Sequence, residues 1–141
     1  MSEAIQVSAA IIFRDDHRFL IARKKTGKPL AGYWEFPGGK IEPNESPEKS
    51  ICREIKEELN IHISNIQFYF NYHYVAENAD ILFFFYLCTV EHLSAITLLD
   101  HDDTAWVIAE ELKQYNIAPA DQIAVEMILN KGFGDYCTTN F

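Results

Sequence analysis

The sequence predicts an α/β sandwich in which a central mixed β-sheet carries helices. Three observations lead there. Segments rich in Val, Ile and aromatic residues, with strand periodicity, stand on both sides of one well-marked helix start at Ser46-Pro47-Glu48. A second helical segment follows Pro119-Ala120-Asp121 and is available to cover another face. At 141 residues, 48% hydrophobic and 13% aromatic, the chain suits a single domain, residues 1–141, with ample material for one core.

Ile5–Arg14 is rich in Val, Ile and Ala and reads as a strand. Asp15-Asp16-His17 is a turn, and Arg18–Lys24 returns as the second strand of a hairpin. Gly27, Pro29 and Gly32 make residues 26–32 a loop, with Trp34–Phe36 a short strand before the loop Pro37-Gly38-Gly39. Ser46 can cap a helix, Pro47 suits its first position, and Glu48 complements the dipole of the first turn. This helix is expected to run to Leu59 and to end at Asn60 in a left-handed conformation. Ile63–Val75 alternates through Ile66, Phe68, Phe70, Tyr72 and Tyr74 as a long strand. After a turn at residues 77–80, Ile81–Glu91 is a fully apolar strand expected to be buried on both faces. Leu98–Asp103 reads as an acidic loop, Thr104–Ile108 as a short strand and Ala109–Leu112 as a helical turn. Asp121–Lys131 is the last helix, closed by Gly132 and Gly134, and the tail to Phe141 is expected to be loose.

Composition narrows the function. The net charge of −9 argues against a protein that grips a nucleic-acid backbone, though not against a nucleotide, because divalent cations invert the local sign. Cys52, Cys88 and Cys137 are odd in number and scattered, which favours reduced thiols in a cytoplasm over disulfides or zinc. Cys52 and Cys88 lie in apolar stretches, where burial is expected. No basic stretch followed by an apolar run opens the chain, so no secretory signal is expected. The longest apolar run, Ile81–Val90, falls far short of the ~20 residues that span a bilayer. A cytoplasmic protein without membrane partners is expected.

The chemistry concentrates between Tyr33 and Ile61. On a helical wheel Ile51, Ile55 and Leu59 share one side, with Cys52 beside them. Glu54, Glu57 and Glu58 share another, at i, i+3 and i+4, where like charges repel. Lys56 points away, and only Arg53 can offset them. The face reads either as acidic solvent surface or as a site for Mg²⁺ or Mn²⁺, which favour oxygen ligands. Pro37-Gly38-Gly39-Lys40 supports the second reading. Glycine lets the backbone approach a ligand closely, offering a carbonyl to a metal and an N–H to a phosphate. Arg23, Lys24, Lys25 and Lys28 cluster at the end of the first hairpin. On composition alone this is a solvated edge that blunts strand pairing, with a phosphate clamp as the alternative.

Gly39-x5-Glu45-x7-Arg53-Glu54-Ile55-x-Glu57-Glu58-x-Asn60-Ile61 closely resembles the Nudix box of the Nudix hydrolases, G-x5-E-x7-R-E-U-x-E-E-x-G-U, where U is a bulky apolar residue. The one departure is Asn60 in place of the last glycine, and Asn tolerates the left-handed region best among the other residues. The box covers residues 39–61, and the flanking E-F-P-G-G-K-I-E, the first hairpin and the later P-A-D extend the resemblance over most of the chain. It points to the MutT-like branch, the (deoxy)nucleoside triphosphate pyrophosphohydrolases.

The resemblance implies a Nudix-type α/β/α sandwich and hydrolysis, with Mg²⁺ (Mn²⁺ as substitute), of a nucleoside triphosphate to monophosphate and pyrophosphate. By motif position Glu57 and Glu58 are metal ligands and Glu54 a further ligand or the general base. A carbonyl of Gly38 or Gly39 is an additional ligand, Arg53 orients the glutamates, and Glu45 supports the loop. Asp100 matches a later acidic residue of metal or base function, with Asp102 and Asp103 close enough to compete. Arg23 and Lys24 match nucleotide-contacting positions, and Lys40 meets phosphates or solvent. Glu35-Phe36-Pro37 and Pro119-Ala120-Asp121 match segments that line the base pocket in this branch, with Gly38 beside them. Enzymes of this branch that select 8-oxoguanine with an amide have Asn where Asp121 stands, and an ionised Asp only accepts hydrogen bonds. Asp121 also suits the N-cap of the last helix. Oxidised guanine nucleotides, and hence nucleotide-pool sanitation and DNA repair, stand close to CTP or modified dCTP. Other implied classes are ADP-ribose, dinucleoside polyphosphates or an RNA 5′ end, which the short chain disfavours, and a non-catalytic nucleotide sensor. The expected partner is a small nucleotide, with the chain a monomer or homodimer.

Overall fold

The computed structural model describes residues 4–91 and 96–141. The strands are β1 (Ile5–Phe13), β2 (Phe19–Lys24), β3 (Trp34–Glu35), β4 (Gly38–Lys40), β5 (Ile63–Ala76), β6 (Ala79–Val90) and β7 (His101–Val107). The helices are α1 (Pro47–Leu59), α2 (Gln122–Lys131) and α3 (Tyr136–Asn140), with 3₁₀ turns at Ala109–Gln114 and Pro119–Asp121. The sheet runs β3-β2-β1-β6-β5, with β4 paired to β1 and β7 to β2. β1 and β6 are parallel, from Ile5↔Ile81 to Phe13↔Thr89, and the other pairings are antiparallel, so the sheet is mixed.

β1 has no polar face because both sides of it are covered. Ile11 and Phe13 face a core shared with Phe19, Ile21, Phe85 and the α2 residues Ala124, Val125 and Ile128. Ala10 and Ile12 face the opposite core, where Ile51, Ile55 and Leu59 of α1 pack with Leu20 and Cys88. Burying each of those three α1 side chains stabilises by about 1.5–3 kcal/mol. The N-terminus of α1 forms as expected: the Ser46 side chain accepts from Lys49 N at 3.1 Å, and Pro47 takes the first turn. Asn60 ends the helix at φ 56, ψ 38, with its N–H on Lys56 O.

The structure corrects several sequence expectations. Gly38–Lys40 is not loop: it pairs with Val7–Ala9 of β1, so the glycines are held by a ladder. The acidic stretch ending at Asp103 enters β7 at His101, because pairing with β2 and an Arg23–Asp102 ion pair at 2.6 Å compensate charges that no apolar period announced. The tail is not loose. α3 buries Tyr136 against Phe13, with ring centroids 5.5 Å apart, and its hydroxyl donates to Asn65 O at 2.6 Å. Cys52 is exposed, since it lies at the edge of the apolar stripe of α1 rather than within it. In β6 burial is continuous over Phe85–Thr89 and otherwise holds at Phe83 alone, and register shifts in β5 accompany a Phe68 that is 51% exposed. No helix among the described residues is long and apolar enough to cross a membrane.

Candidate active site

β4 and α1 meet at two glycines. A Cβ on Gly38 would stand 2.0 Å from Ser8 O, and one on Gly39 would stand 2.3 Å from Glu54 Cδ and Oε2. Gly38 thus lets β4 lie against the β1 backbone, and Gly39 leaves room for the carboxylate end of Glu54. A buried Ser8–Ser50 hydroxyl pair at 2.9 Å pins α1 to β1 behind them.

Arg53 organises the carboxylates. Its Nε and Nη2 donate to Glu45 Oε2 and Oε1 at 2.7 and 2.9 Å, a bidentate pair. Its Nη1 reaches Glu54 Oε1 at 3.0 Å and Glu57 Oε2 at 3.2 Å, and Nη2 also donates to Lys40 O at 3.0 Å. These bonds hold Glu45 down at about pH 2, chiefly through the Arg53 hydrogen bond, and push Arg53 up. The three glutamates of the helix face then differ. Glu57 is exposed, and Glu54 is half-buried, with its pKa raised by desolvation against the opposing pull of Arg53. Glu58 is 6% exposed, and its pKa is raised to about 8 by desolvation and by the charges of Glu35, Glu54 and Asp100, with Lys24 opposing.

Glu58 Oε2 is buried with no hydrogen-bond partner among the described residues, an arrangement that costs energy until a cation or donor reaches it. That orphaned oxygen, the neighbouring carboxylates and the glycine carbonyls form a hard donor set that fits Mg²⁺ or Mn²⁺. Among the described residues no three His, Cys, Asp or Glu side chains already stand together as a metal cage. Arg53 holds Glu54 and Glu57, and Lys28 stands 3.5 Å from Asp100. Of the three aspartates proposed near residue 100, Asp100 is the one whose charge acts on Glu58. Asp102 pairs with Arg23, and Asp103 accepts from Thr104 N at 2.8 Å.

A cavity of about 180 Å³ adjoins this face, lined by Lys24, Glu35, Phe36, Gly38, Phe83 and Asp121 among others. Stacked rings back it: Phe83 lies 5.1 Å from Tyr72, whose hydroxyl donates to Ala120 O. Lys24 stands 3.7 Å from Glu35 Oε2. Arg23, one residue earlier on the strand, does not line the cavity and lies over Trp34, 5.7 Å from its ring centroid. Pro37 is buried and accepts from Ala10 N at 2.8 Å, and the Lys40 side chain is exposed.

Asp121 departs from expectation twice. Its side chain makes no capping bond to α2. Instead Oδ2 accepts from Phe36 N at 3.1 Å, which ties the Pro119–Asp121 turn to the end of β3. At 5% exposure, burial first and the Glu35 charge second raise its pKa to about 8, which favours the protonated carboxyl, a form that both donates and accepts.

His101 was not singled out by the sequence. Its side chain is 0% exposed, and Nε2 lies 2.9 Å from Glu35 Oε2. Only the β2–β7 pairing, which sets His101 opposite Lys24, could have found it.

Comparison with known proteins accounts for this arrangement. Residues 4–128 match the NUDIX domain. The chain is 35% identical to the CTP pyrophosphohydrolase of Escherichia coli, over 83% of this chain and 85% of that protein. It is 30% identical to the 8-oxo-dGTP diphosphatase of Haemophilus influenzae, over 90% and 93%. The crystal structure of a MutT NUDIX hydrolase from Burkholderia pseudomallei superposes with a TM-score of 0.77 at 27% identity, covering 90% of this chain and 99% of that one.

Proposed function

This chain belongs to the NUDIX domain family and is a MutT-like Nudix hydrolase, and on that premise we propose that it cleaves (deoxy)nucleoside triphosphates, with a divalent metal, to nucleoside monophosphate and pyrophosphate. One observation carries the reading: the carboxylate face organised by Arg53 adjoins, across Gly38-Gly39, a cavity walled by Lys24, Glu35 and Asp121. Glu54, Glu57, Glu58, Asp100 and a carbonyl of Gly38 or Gly39 would hold Mg²⁺ or Mn²⁺, which when bound supplies counter-charge to the phosphates and polarises the attacking water.

The chain's own residues do the rest. Arg53 keeps Glu54 and Glu57 on one side of the helix and ties them to the β4 backbone through Lys40 O. Arg53 engages Glu54 through Oε1, which leaves Oε2 either to the metal or, with the Glu54 pKa raised by desolvation, to the proton of the attacking water. Lys24, at the cavity wall, supplies positive charge toward the phosphates. The ring wall of Phe83 and Tyr72 offers an apolar surface to the base.

Asp121, kept neutral by burial, donates and accepts as an amide does. This supports 8-oxo-dGTP as the first candidate and a role in clearing oxidised nucleotides before DNA synthesis. The same donor and acceptor can meet N3 and the amino group of cytosine. CTP or modified dCTP is therefore the second candidate, favoured by the likeness to the Escherichia coli CTP pyrophosphohydrolase.

A panel of 8-oxo-dGTP, dGTP, CTP, 5-methyl-dCTP and ADP-ribose with Mg²⁺, its products separated, tests the proposal. Monophosphate plus pyrophosphate is expected, with activity lost in EDTA and in Glu57→Gln and Glu58→Gln variants that remain folded. Cleavage of no triphosphate defeats the reading, and undiminished activity in both variants defeats the metal assignment.

A further inference from the structure

The side chain of His101 is wholly enclosed, yet only one of its ring nitrogens is bonded. Nε2 lies 2.9 Å from Glu35 Oε2, while Nδ1 is buried with no partner among the described residues. A position that served packing alone would gain from Leu or Phe, which fill the space without an orphaned polar atom. The backbone is also shaped to bring the ring there. Arg23 pairs with Asp103 and Lys24 with His101, so Asp102 is an extra residue, a β-bulge between two ladder pairs. Bulges of this kind re-aim side chains beside functional sites. Here Asp102 goes outward to Arg23 at 2.6 Å, and His101 goes inward. Glu35, on β3, is reached across β2, whose residue opposite Glu35 is the small Ala22.

Every contact made by the Glu35 carboxylate among the described residues falls on Oε2. His101 Nε2 approaches at 2.9 Å and Lys24 Nζ at 3.7 Å. Oε1 is left as the acceptor that Glu35 can present to the cavity it lines. Without the imidazole, Lys24 alone restrains Oε2, and the carboxylate can rotate about its terminal torsion, which is soft. We propose that His101 is a positioning residue: its Nε2–H fixes Glu35 so that Oε1 faces the bound nucleotide, and it thereby contributes to substrate selection. This rests on the reading of the cavity as the nucleotide site. The bond needs a proton on Nε2.

The test uses the full chain and the variants His101→Leu, His101→Gln and Glu35→Gln, with 8-oxo-dGTP and CTP as substrates. His101→Leu is expected to raise KM for the better substrate on the order of tenfold, the effect of freeing a charge-assisted hydrogen bond, and to change kcat less. Its melting temperature should not fall. His101→Gln, whose amide can replace the Nε2–H donor, should recover most of the loss. The double variant His101→Leu/Glu35→Gln should be no worse than Glu35→Gln alone. Nitrogen-15 spectra of the free protein should show the Nε2–H form of His101. The proposal is overturned by an unchanged KM in His101→Leu, by additive effects in the double variant, by a loss confined to kcat, or by a ring with no proton on Nε2. Failure of the wild-type protein to cleave either nucleotide instead removes the nucleotide-site reading, and the base-selecting role with it.

Discussion

Asp121→Asn isolates one of two buried carboxyls among the described residues, Glu58 being the other, whose protonation the fold shifts. The substitution keeps the side-chain shape and an oxygen for Phe36 N, which now donates to Oδ2 at 3.1 Å. In the unfolded chain Asp121 ionises near its ordinary 3.8, whereas in the folded protein burial delays ionisation to about 8. Between those values the folded state holds a proton that the unfolded state has lost, so the wild-type protein becomes less stable as pH rises. The slope is about 1.36 kcal/mol per pH unit, and it levels off above pH 8. From pH 5 to pH 8 the integrated loss is about 3–4 kcal/mol, and Asn, which does not titrate, is spared it. Urea unfolding of both proteins at pH 5, 6.5 and 8 reads the difference, because groups common to both largely cancel. The stability of Asp121→Asn relative to wild type should rise steadily over that range. A difference constant to within about 0.5 kcal/mol would refute burial of a protonated carboxyl, and with it the donor that Asp121 is taken to offer the base.

Two further substitutions separate site from scaffold. Gly39→Ala puts a methyl against the end of the Glu54 side chain, which can swing aside, so the melting temperature should hold while activity falls on the order of a hundredfold. Gly38→Ala meets the Ser8 backbone instead and should lower thermal stability. Equal melting temperatures for the two variants would contradict this geometry. Tyr136→Ala removes a fully buried ring and should cost about 3–5 kcal/mol, lowering the melting temperature by roughly 10 °C or more, whereas a loose tail would register no change in a thermal scan.

Where local chemistry decides the structure, the sequence was enough. Ser46, Pro47 and Asn60 mark the ends of α1 because caps and left-handed terminators act within one turn. The Ile51, Ile55 and Leu59 stripe and the Glu54, Glu57 and Glu58 face follow from helical period alone. The two glycines and the box spacing carried the site to its reaction class. Pairing between distant segments decided the rest. β4 and the start of β7 are strands because β1 and β2 offer them ladders, not because their residues favour extension. α3 is held because Phe13 receives the Tyr136 ring and Asn65 O its hydroxyl, which no local pattern announces. Most consequential are the charge states in the cavity. The sequence names an aspartate at residue 121 and a histidine at 101, but desolvation depends on what surrounds a group. Only the closing of β3, β7 and the Pro119 turn over them makes Asp121 a proton-holding carboxyl and joins His101 to Glu35.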